Sequence, residues 1–316
     1  MTADGGPVPL RIAFAGTPSV AVPTLRALHA TGHDVVAVVT RPDAPLGRKR
    51  VLTPSPVALA ADELGLPVIK AARLDTEATE RIAELRPDLA AVVAYGGLVR
   101  EPLLSLPAHG WINLHFSLLP RWRGAAPVQR ALMAGDRTTG ASVFQLVPEL
   151  DAGDVFAELR YDIPADATAG EVLDALADAG AGLLTDVVDG IAAGTAVARP
   201  QHGEPSHAAK LTIDDGLLDW EQPADRLLDR YRGVTPEPGA HTTLDGARFK
   251  VLRARPAPDA ASLAPGAVAP APGGVLVGTA TGPVLVERVQ PAGKPAMAAS
   301  DWARGVRGDI VLGGDA

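Results

Sequence analysis

Two short stretches of this chain hold residue types that can do chemistry together: Asn113-Leu114-His115-Phe116-Ser117-Leu118-Leu119-Pro120 and Leu150-Asp151-Ala152-Gly153-Asp154. In an extended segment side chains alternate faces, so Trp111, Asn113 and His115 project to one side while Ile112 and Leu114 anchor the other. A neutral imidazole can take a proton from an attacking nucleophile, and an amide N–H can hold a developing oxyanion. A carboxylate such as Asp151 can orient the imidazole and stabilise its charge, which raises its pKa. The set is equipment for acyl transfer without a covalent nucleophile. Alone, His115 would read as a core histidine bonded to a carbonyl, and Asn113 as a turn-stabilising amide. Their shared strand face, ahead of Ser117 to Pro120 and of Arg121-Trp122-Arg123-Gly124, favours the chemical reading. Glu149 and Asp154 read as solvated neighbours of Asp151. A metal site from His115, Asp151 and Asp154 is conceivable, but no close-spaced set such as His-Glu-x-x-His occurs, and no metal is expected.

An open α/β sheet is the frame that such a strand needs. Leu10 to Ala15 reads as a first strand, after which Thr17 can N-cap a helix with Pro18 at its first position, ending near Gly32. Asp34 to Thr40 is a second strand, Ser55-Pro56 opens a helix closed by Gly65, and Pro67 to Lys70 and Asp88 to Ala94 are further strands. Strands alternating with helices imply a parallel sheet covered on both faces. Trp111 to His115 is the next strand, which puts its reactive end at the C-terminal edge, where open α/β sheets bind ligands. Thr168-Ala169-Gly170-Glu171 has capping-box spacing ahead of a helix whose apolar stripe is Leu173, Leu176, Leu183, Val187 and Ile191. The first turn invites a dinucleotide reading, but Phe14-Ala15-Gly16-Thr17-Pro18-Ser19 has one glycine where G-x-G-x-x-G has three. A nicotinamide cofactor is not expected.

Periodicity is lost from about Gly194 to Leu211, a Gly/Pro/His-rich stretch that reads as a linker. Beyond it, Asp245-Gly246 and Thr281-Gly282 lie between β-rich runs and read as hairpin turns, and the Pro/Ala run from Pro256 to Pro272 reads as a surface loop. The expected architecture is a Rossmann-like, open, mostly parallel α/β sheet domain over residues 1–194, a linker over 195–211, and a small OB-like β-barrel domain over 212–316.

Composition removes other classes. A formal net charge of −8 argues against a protein that coats nucleic acid by bulk attraction, so any such contact must be local. With no cysteine, disulfides, thiolate zinc sites and cysteine nucleophiles are excluded, and a reducing cytoplasm fits. The longest apolar run, Leu89 to Val99, falls well short of the ~20 residues that span a bilayer. Met1 to Pro7 lacks the basic and apolar regions of a signal peptide. One loop stands out: Arg41 to Arg50 is long for a strand-to-helix connection. Arg48, Lys49 and Arg50 at its Gly-preceded tip suit phosphate contact, although an exposed charge run is more often a soluble surface.

The segment from Asn113 to Pro120, with Asp151 downstream, resembles the signature of enzymes that use 10-formyltetrahydrofolate as a formyl donor. The resemblance implies that Asn113, His115 and Asp151 form the catalytic trio and that Ser117, Leu118, Leu119 and Pro120 touch the folate. Phe116 stands where the family pattern has glycine, which implies a less flexible loop. Within the family, the basic loop followed by Thr53-Pro54-Ser55-Pro56 resembles members that act on charged initiator tRNA. So do Ala94-Tyr95-Gly96, Arg121 to Gln129, Lys210-Leu211 before Asp219-Trp220, and Gln290-Pro291-Ala292-Gly293-Lys294. Thr235-Pro236-Glu237-Pro238 departs from the aromatic-containing Asn-Pro-Trp-Pro of that pattern. The implied reaction is formylation of the free amino group of initiator methionyl-tRNA for translation initiation, by a monomer with Arg48, Lys49 and Arg50 on the tRNA. A folate-dependent transferase acting on a small amine, such as glycinamide ribonucleotide or an amino sugar, would share the trio without needing the basic loop. A noncatalytic RNA-binding protein would not need the trio.

Overall fold

The computed structural model describes residues 8–47, 49–306 and 308–313, and the chain divides into two compact units. The first comprises the chain through Ala125, Thr138–Asp162 and Leu173–Ala208; the second comprises Ala126–Arg137, Ile163–Val172 and the chain from Ala209 onward. In chain order the elements up to the second unit's last and longest segment are β1 (Arg11–Gly16), α1 (Val22–His29), β2 (Asp34–Thr40), β3 (Ala44–Leu46), β4 (Val51–Thr53), α2 (Pro56–Glu63), β5 (Val68–Lys70), α3 (Thr76–Glu84), β6 (Leu89–Val93), β7 (Trp111–His115), β8 (Arg123–Gly124), α4 (Pro127–Ala134), β9 (Thr138–Gln145), β10 (Val155–Asp162), α5 (Ala169–Ala192) and β11 (His207–Ala208).

The first unit is built on a seven-stranded sheet in the order β10-β9-β7-β6-β1-β2-β5. Its β7/β9 and β9/β10 ladders are antiparallel and the rest parallel. The central strands read as continuous apolar runs because both faces are covered: Val35 to Thr40 in β2 and all of β6 are buried. Trp111 closes the core from β7, its indole N–H donating to the Leu103 carbonyl at 2.8 Å. Ser55 caps α2 by accepting from the Ala58 N–H at 3.0 Å, with Pro56 at the first helical position.

Two local expectations give way to tertiary structure. Thr17 does not cap a helix; its hydroxyl donates to the Tyr95 carbonyl at 3.0 Å, and a short 3₁₀ turn, Ser19–Ala21, precedes α1. On α5 the buried face contains Leu176, Leu184, Val187 and Val188, whereas Leu173, Leu183 and Ile191 are only half-buried. The stripe is rotated because β7 presents Leu114 to the helix. A Cβ on Gly180 would meet the Leu114 side chain at 2.9 Å.

The second unit adds α6 (Ala224–Gly233), β12 (His241–Leu244), β13 (Ala247–Pro256), β14 (Val268–Ala271), β15 (Gly274–Val277), β16 (Val284–Gln290), β17 (Met297–Ala298) and α7 (Ala299–Arg304). Its sheet is antiparallel, in the order β12-β13-β16-β15-β14 with β17 on β16. Among the described residues no ladder joins β12 to β14, so the pairing is that of an open sheet. Trp220, Leu227, Tyr231, Phe249, Val277, Val286 and Trp302 fill its core. Thr168 and Glu171 form the capping box, with the Glu171 carboxylate accepting from the Thr168 N–H at 2.8 Å. Helices α4 and α6 pack closely enough that a Cβ on Gly233 would meet the Gln129 carbonyl at 2.7 Å.

Asp245-Gly246 does make the two-residue hairpin, both residues having positive φ, with Leu244 paired to Ala247. The other turn is longer, since the last pair before it is Val277 with Val284. Within the Pro/Ala run, Val268–Ala271 is a strand and not a loop. It is the end strand of the sheet order, where a proline such as Pro270 can be tolerated. No helix among the described residues is long and apolar enough to cross a membrane.

Candidate active site

His115 closes β7 just beyond that strand's last pairing with β6, where Val92 lies opposite Asn113. On its other side the antiparallel β9 continues, placing Phe144 opposite Asn113 and Ser142 opposite His115. The Phe144 ring meets the imidazole edge-on, with centroids 6.3 Å apart. His115 is 7% exposed and Asp151 9%, so both ionisable groups sit at the edge of the protein interior. The Asn113 carboxamide on the same strand face is half-buried and has no hydrogen-bond partner among the described residues.

The imidazole is oriented by backbone. His115 Nε2 lies 2.9 Å from the Trp122 carbonyl oxygen. A carbonyl can only accept, so Nε2 carries the proton and Nδ1 bears the lone pair. Nδ1 faces Asp151 Oδ2 at 3.8 Å, an ion-pair separation too long for a hydrogen bond. Asp151 therefore acts on His115 through charge, while its own Oδ2 accepts from the Gly124 N–H at 2.7 Å. Trp122 (φ 60°) and Asp151 (φ 46°) both occupy the left-handed region, which is unusual for such residues and recurs at functional sites. Two glycines make the approach possible. A Cβ on Gly124 would meet the Ala208 carbonyl at 2.7 Å, and one on Gly153 the Gln145 carbonyl at 1.8 Å.

Burial pushes the His115 pKa below its ordinary 6.5; Asp151 and the Trp122 carbonyl pull it upward but do not win. The Asp151 charge does raise this pKa, as its chemistry leads one to expect, but burial outweighs it. Neutral imidazole is the resting form. The linkage follows: the unfolded state binds the proton more readily, so the stability gained by burying neutral His115 is complete above pH 6.5. It is lost as the pH falls through 6.5 towards the lowered value. An NMR titration of the His115 ring is expected to give a midpoint below 6.5, and a midpoint above it would overturn the assignment.

The loop after β7 is fastened by a residue that the sequence does not advertise. Ser142 Oγ, fully buried on β9, donates to the Ser117 carbonyl at 2.7 Å and accepts from the Leu119 N–H at 3.2 Å. Ser117 in turn donates to the Arg121 carbonyl at 2.6 Å. Ser117 to Pro120 thereby become one pinned turn, with Leu118 half-buried at its centre and Phe116 buried. The supposed linker also takes part: Gln201 and Ser206 hydrogen-bond to the loops that carry Asp151 and Trp122. Glu149 and Asp154 are exposed. No group of three or more His, Cys, Asp or Glu residues among those described could hold a metal ion.

Of the basic loop, Arg48 lies outside the described residues, and Lys49 and Arg50 are exposed. They sit at the turn of a hairpin in which β3 pairs antiparallel with β4 and Leu46 with Val51. In the second unit, Arg232 is buried and paired with Asp229.

Residues 10–188 match the formyl transferase family, and residues 210–307 match the formyl transferase C-terminal domain. Methionyl-tRNA formyltransferase of Leifsonia xyli subsp. xyli is 64% identical over 96% of this chain and 100% of its own length. The protein of the same name from Clavibacter sepedonicus is 62% identical over 96% and 99%. Among solved structures, HypX from Aquifex aeolicus in complex with tetrahydrofolic acid has a TM-score of 0.67 at 18% identity, covering 96% of this chain and 51% of that one. The chain thus spans about half the length of HypX. An N-formyltransferase from Helicobacter canadensis, in complex with folinic acid and dTDP-3-aminofucose, has a TM-score of 0.68 at 15% identity over 89% and 99% of the two chains. At those identities the likeness is one of fold, but the matches to the curated relatives run the length of both chains, and the chain belongs to the methionyl-tRNA formyltransferase family.

Proposed function

We propose that the chain transfers the formyl group of 10-formyltetrahydrofolate to the free amino group of initiator methionyl-tRNA. The observation that carries the reading is the Asn113 carboxamide, without a hydrogen-bond partner among the described residues, on the strand face that carries a buried neutral imidazole, in a chain that its relatives match over 96% of its length. An unpartnered, half-buried amide is the group that a formyl oxygen would satisfy. When bound, the folate supplies an activated formyl carbon. The methionyl amine attacks that carbon, forming one C–N bond, and the bond to the folate nitrogen breaks. Asn113 donates to the oxygen as negative charge develops on it. His115 Nδ1 takes the proton lost by the amine, and this proton leaves on the folate nitrogen, so none accumulates. Asp151 stabilises the imidazolium between these transfers. The pinned turn Ser117, Leu118, Leu119 and Pro120 lines the folate.

Residues 1–194 carry the reaction in this reading, 195–211 join the parts, and 212–316 meet the tRNA. The two bulges in β13 and the shared apolar core support an OB-like, partly open barrel for the last of these. Exposed Arg226, Arg248, Arg253 and Lys294 offer its phosphate contacts. The protein works as a monomer in the cytoplasm, a setting that a chain without cysteine suits.

The direct test incubates the protein with formyl donor and charged initiator tRNA, with glycinamide ribonucleotide and amino sugars alongside. Formylation confined to the small amines would overturn the reading. Replacing Arg48, Lys49 and Arg50 with alanine is expected to raise the KM for tRNA about tenfold or more and to lower the salt slope by about one for each phosphate the loop no longer neutralises. Folate affinity, measured by titration, should stay unchanged. Joint loss of folate binding and tRNA use would reject this role for the loop.

A further inference from the structure

We propose that Gln201 is a positioning residue for the reaction, setting the distance between Asp151 and His115 by tying the two loops around the imidazole to one carboxamide. The proposal rests on the formyl-transfer reading of this site. No hydrogen bond joins Asp151 to the imidazole across their 3.8 Å. Their separation is therefore set by backbone: by the loop bearing Trp122 and Gly124 on one side and the loop bearing Asp151 and Gly153 on the other. Gln201 bonds to both. Its Nε2 donates to the carbonyls of Asp151 and Gly153, each at 2.8 Å. Its Oε1 accepts from Arg123 Nη2 at 2.6 Å and Nε at 3.2 Å. Arg123 lies between the residue whose carbonyl orients His115 and the residue whose N–H holds Asp151.

The neighbouring backbone completes the frame. Arg199 bridges to Val155 through two hydrogen bonds of 2.8 and 2.9 Å. Ser206 Oγ accepts from the Trp122 N–H at 2.9 Å, and the Ser206 carbonyl accepts from the Arg123 N–H at 2.8 Å. Only a primary amide offers two donors and an acceptor from one neutral planar group, which is what two carbonyls and a guanidinium require. The left-handed backbone at Asp151 persists where such contacts over-determine it.

The test uses the full chain with Gln201→Ala, and with Gln201→Met to keep the volume without polar atoms. His115 is followed by NMR titration and formylation by kinetics. Asp151 is the charged group that pulls the His115 pKa upward, so its displacement should move the midpoint further down, as Asp151→Asn should. The expected fall in kcat is about ten- to a hundredfold, with KM for both substrates within about threefold, the scale of a small misplacement. On an Asp151→Asn background, Gln201→Ala should add no further shift. A His115 titration unmoved in either folded variant, or a further shift on that background, would overturn the proposal and leave Gln201 a merely structural strut. Wild-type protein that formylates no charged tRNA would instead reject the functional reading, and the titration would still decide the role of Gln201.

Discussion

His115→Ala is expected to lower kcat by about 10²–10⁴, the loss of a positioned general base, or about 3–5 kcal/mol of transition-state stabilisation. The size follows from the geometry. Nδ1 is the one imidazole nitrogen with an available lone pair, and burial keeps it unprotonated at neutral pH. Removing the ring also leaves the Trp122 carbonyl without its donor and opens space beside Phe144. His115→Asn is therefore the companion variant, since it keeps a polar group in the strand end and should be equally slow. Single-turnover kinetics with saturating donor and charged tRNA separate chemistry from binding. Near-normal turnover in either variant, with the fold intact by circular dichroism, would sink the role of His115 as base.

Asn113→Ala should cost about 10²–10³ in kcat, the ordinary worth of one oxyanion donor. This substitution is unusually clean. Because the carboxamide has no hydrogen-bond partner among the described residues, truncation breaks no bond of the folded protein, and stability should change by no more than about 0.5 kcal/mol. The loss should appear in kcat and in kcat/KM alike, because the interaction forms only as charge builds on the formyl oxygen. A rise in KM for the formyl donor with unchanged kcat would show that Asn113 merely binds the ground state.

Much of the frame was readable because it is written locally. Asp34 to Thr40 and Trp111 to His115 are apolar runs bounded by punctuating residues, and both strands have the expected ends. The Ser55 cap, the capping box at Thr168 and the Asp245-Gly246 turn are each decided within four residues. The candidate residues at positions 113 and 115 stood out by strand alternation. The partners that set their chemistry did not. The Trp122 carbonyl and the Gly124 N–H are backbone groups, which no residue type announces. Gln201 lies fifty residues from Asp151 in a stretch with no periodicity, so its role emerges only once the chain has folded back. Even the net direction of the His115 pKa depends on burial, which a pattern of residue types does not measure. The α5 stripe slipped for a similar reason, since β7 selects which face of an apolar helix it covers.

The interleaving of the two units has a consequence for biosynthesis. α4 leaves the ribosome long before α6, the helix that packs against it around Gly233. Until then the nascent chain displays a helix whose intended neighbour has not been made. Translation stalled, or a gene truncated, near residue 206 would freeze the chain in that state. Such a product contains every residue named in the catalytic trio and still carries an uncovered helical face of the kind that draws chaperones or aggregates. The last third of the chain thus supplies the cover for a helix that is encoded in the first two-thirds.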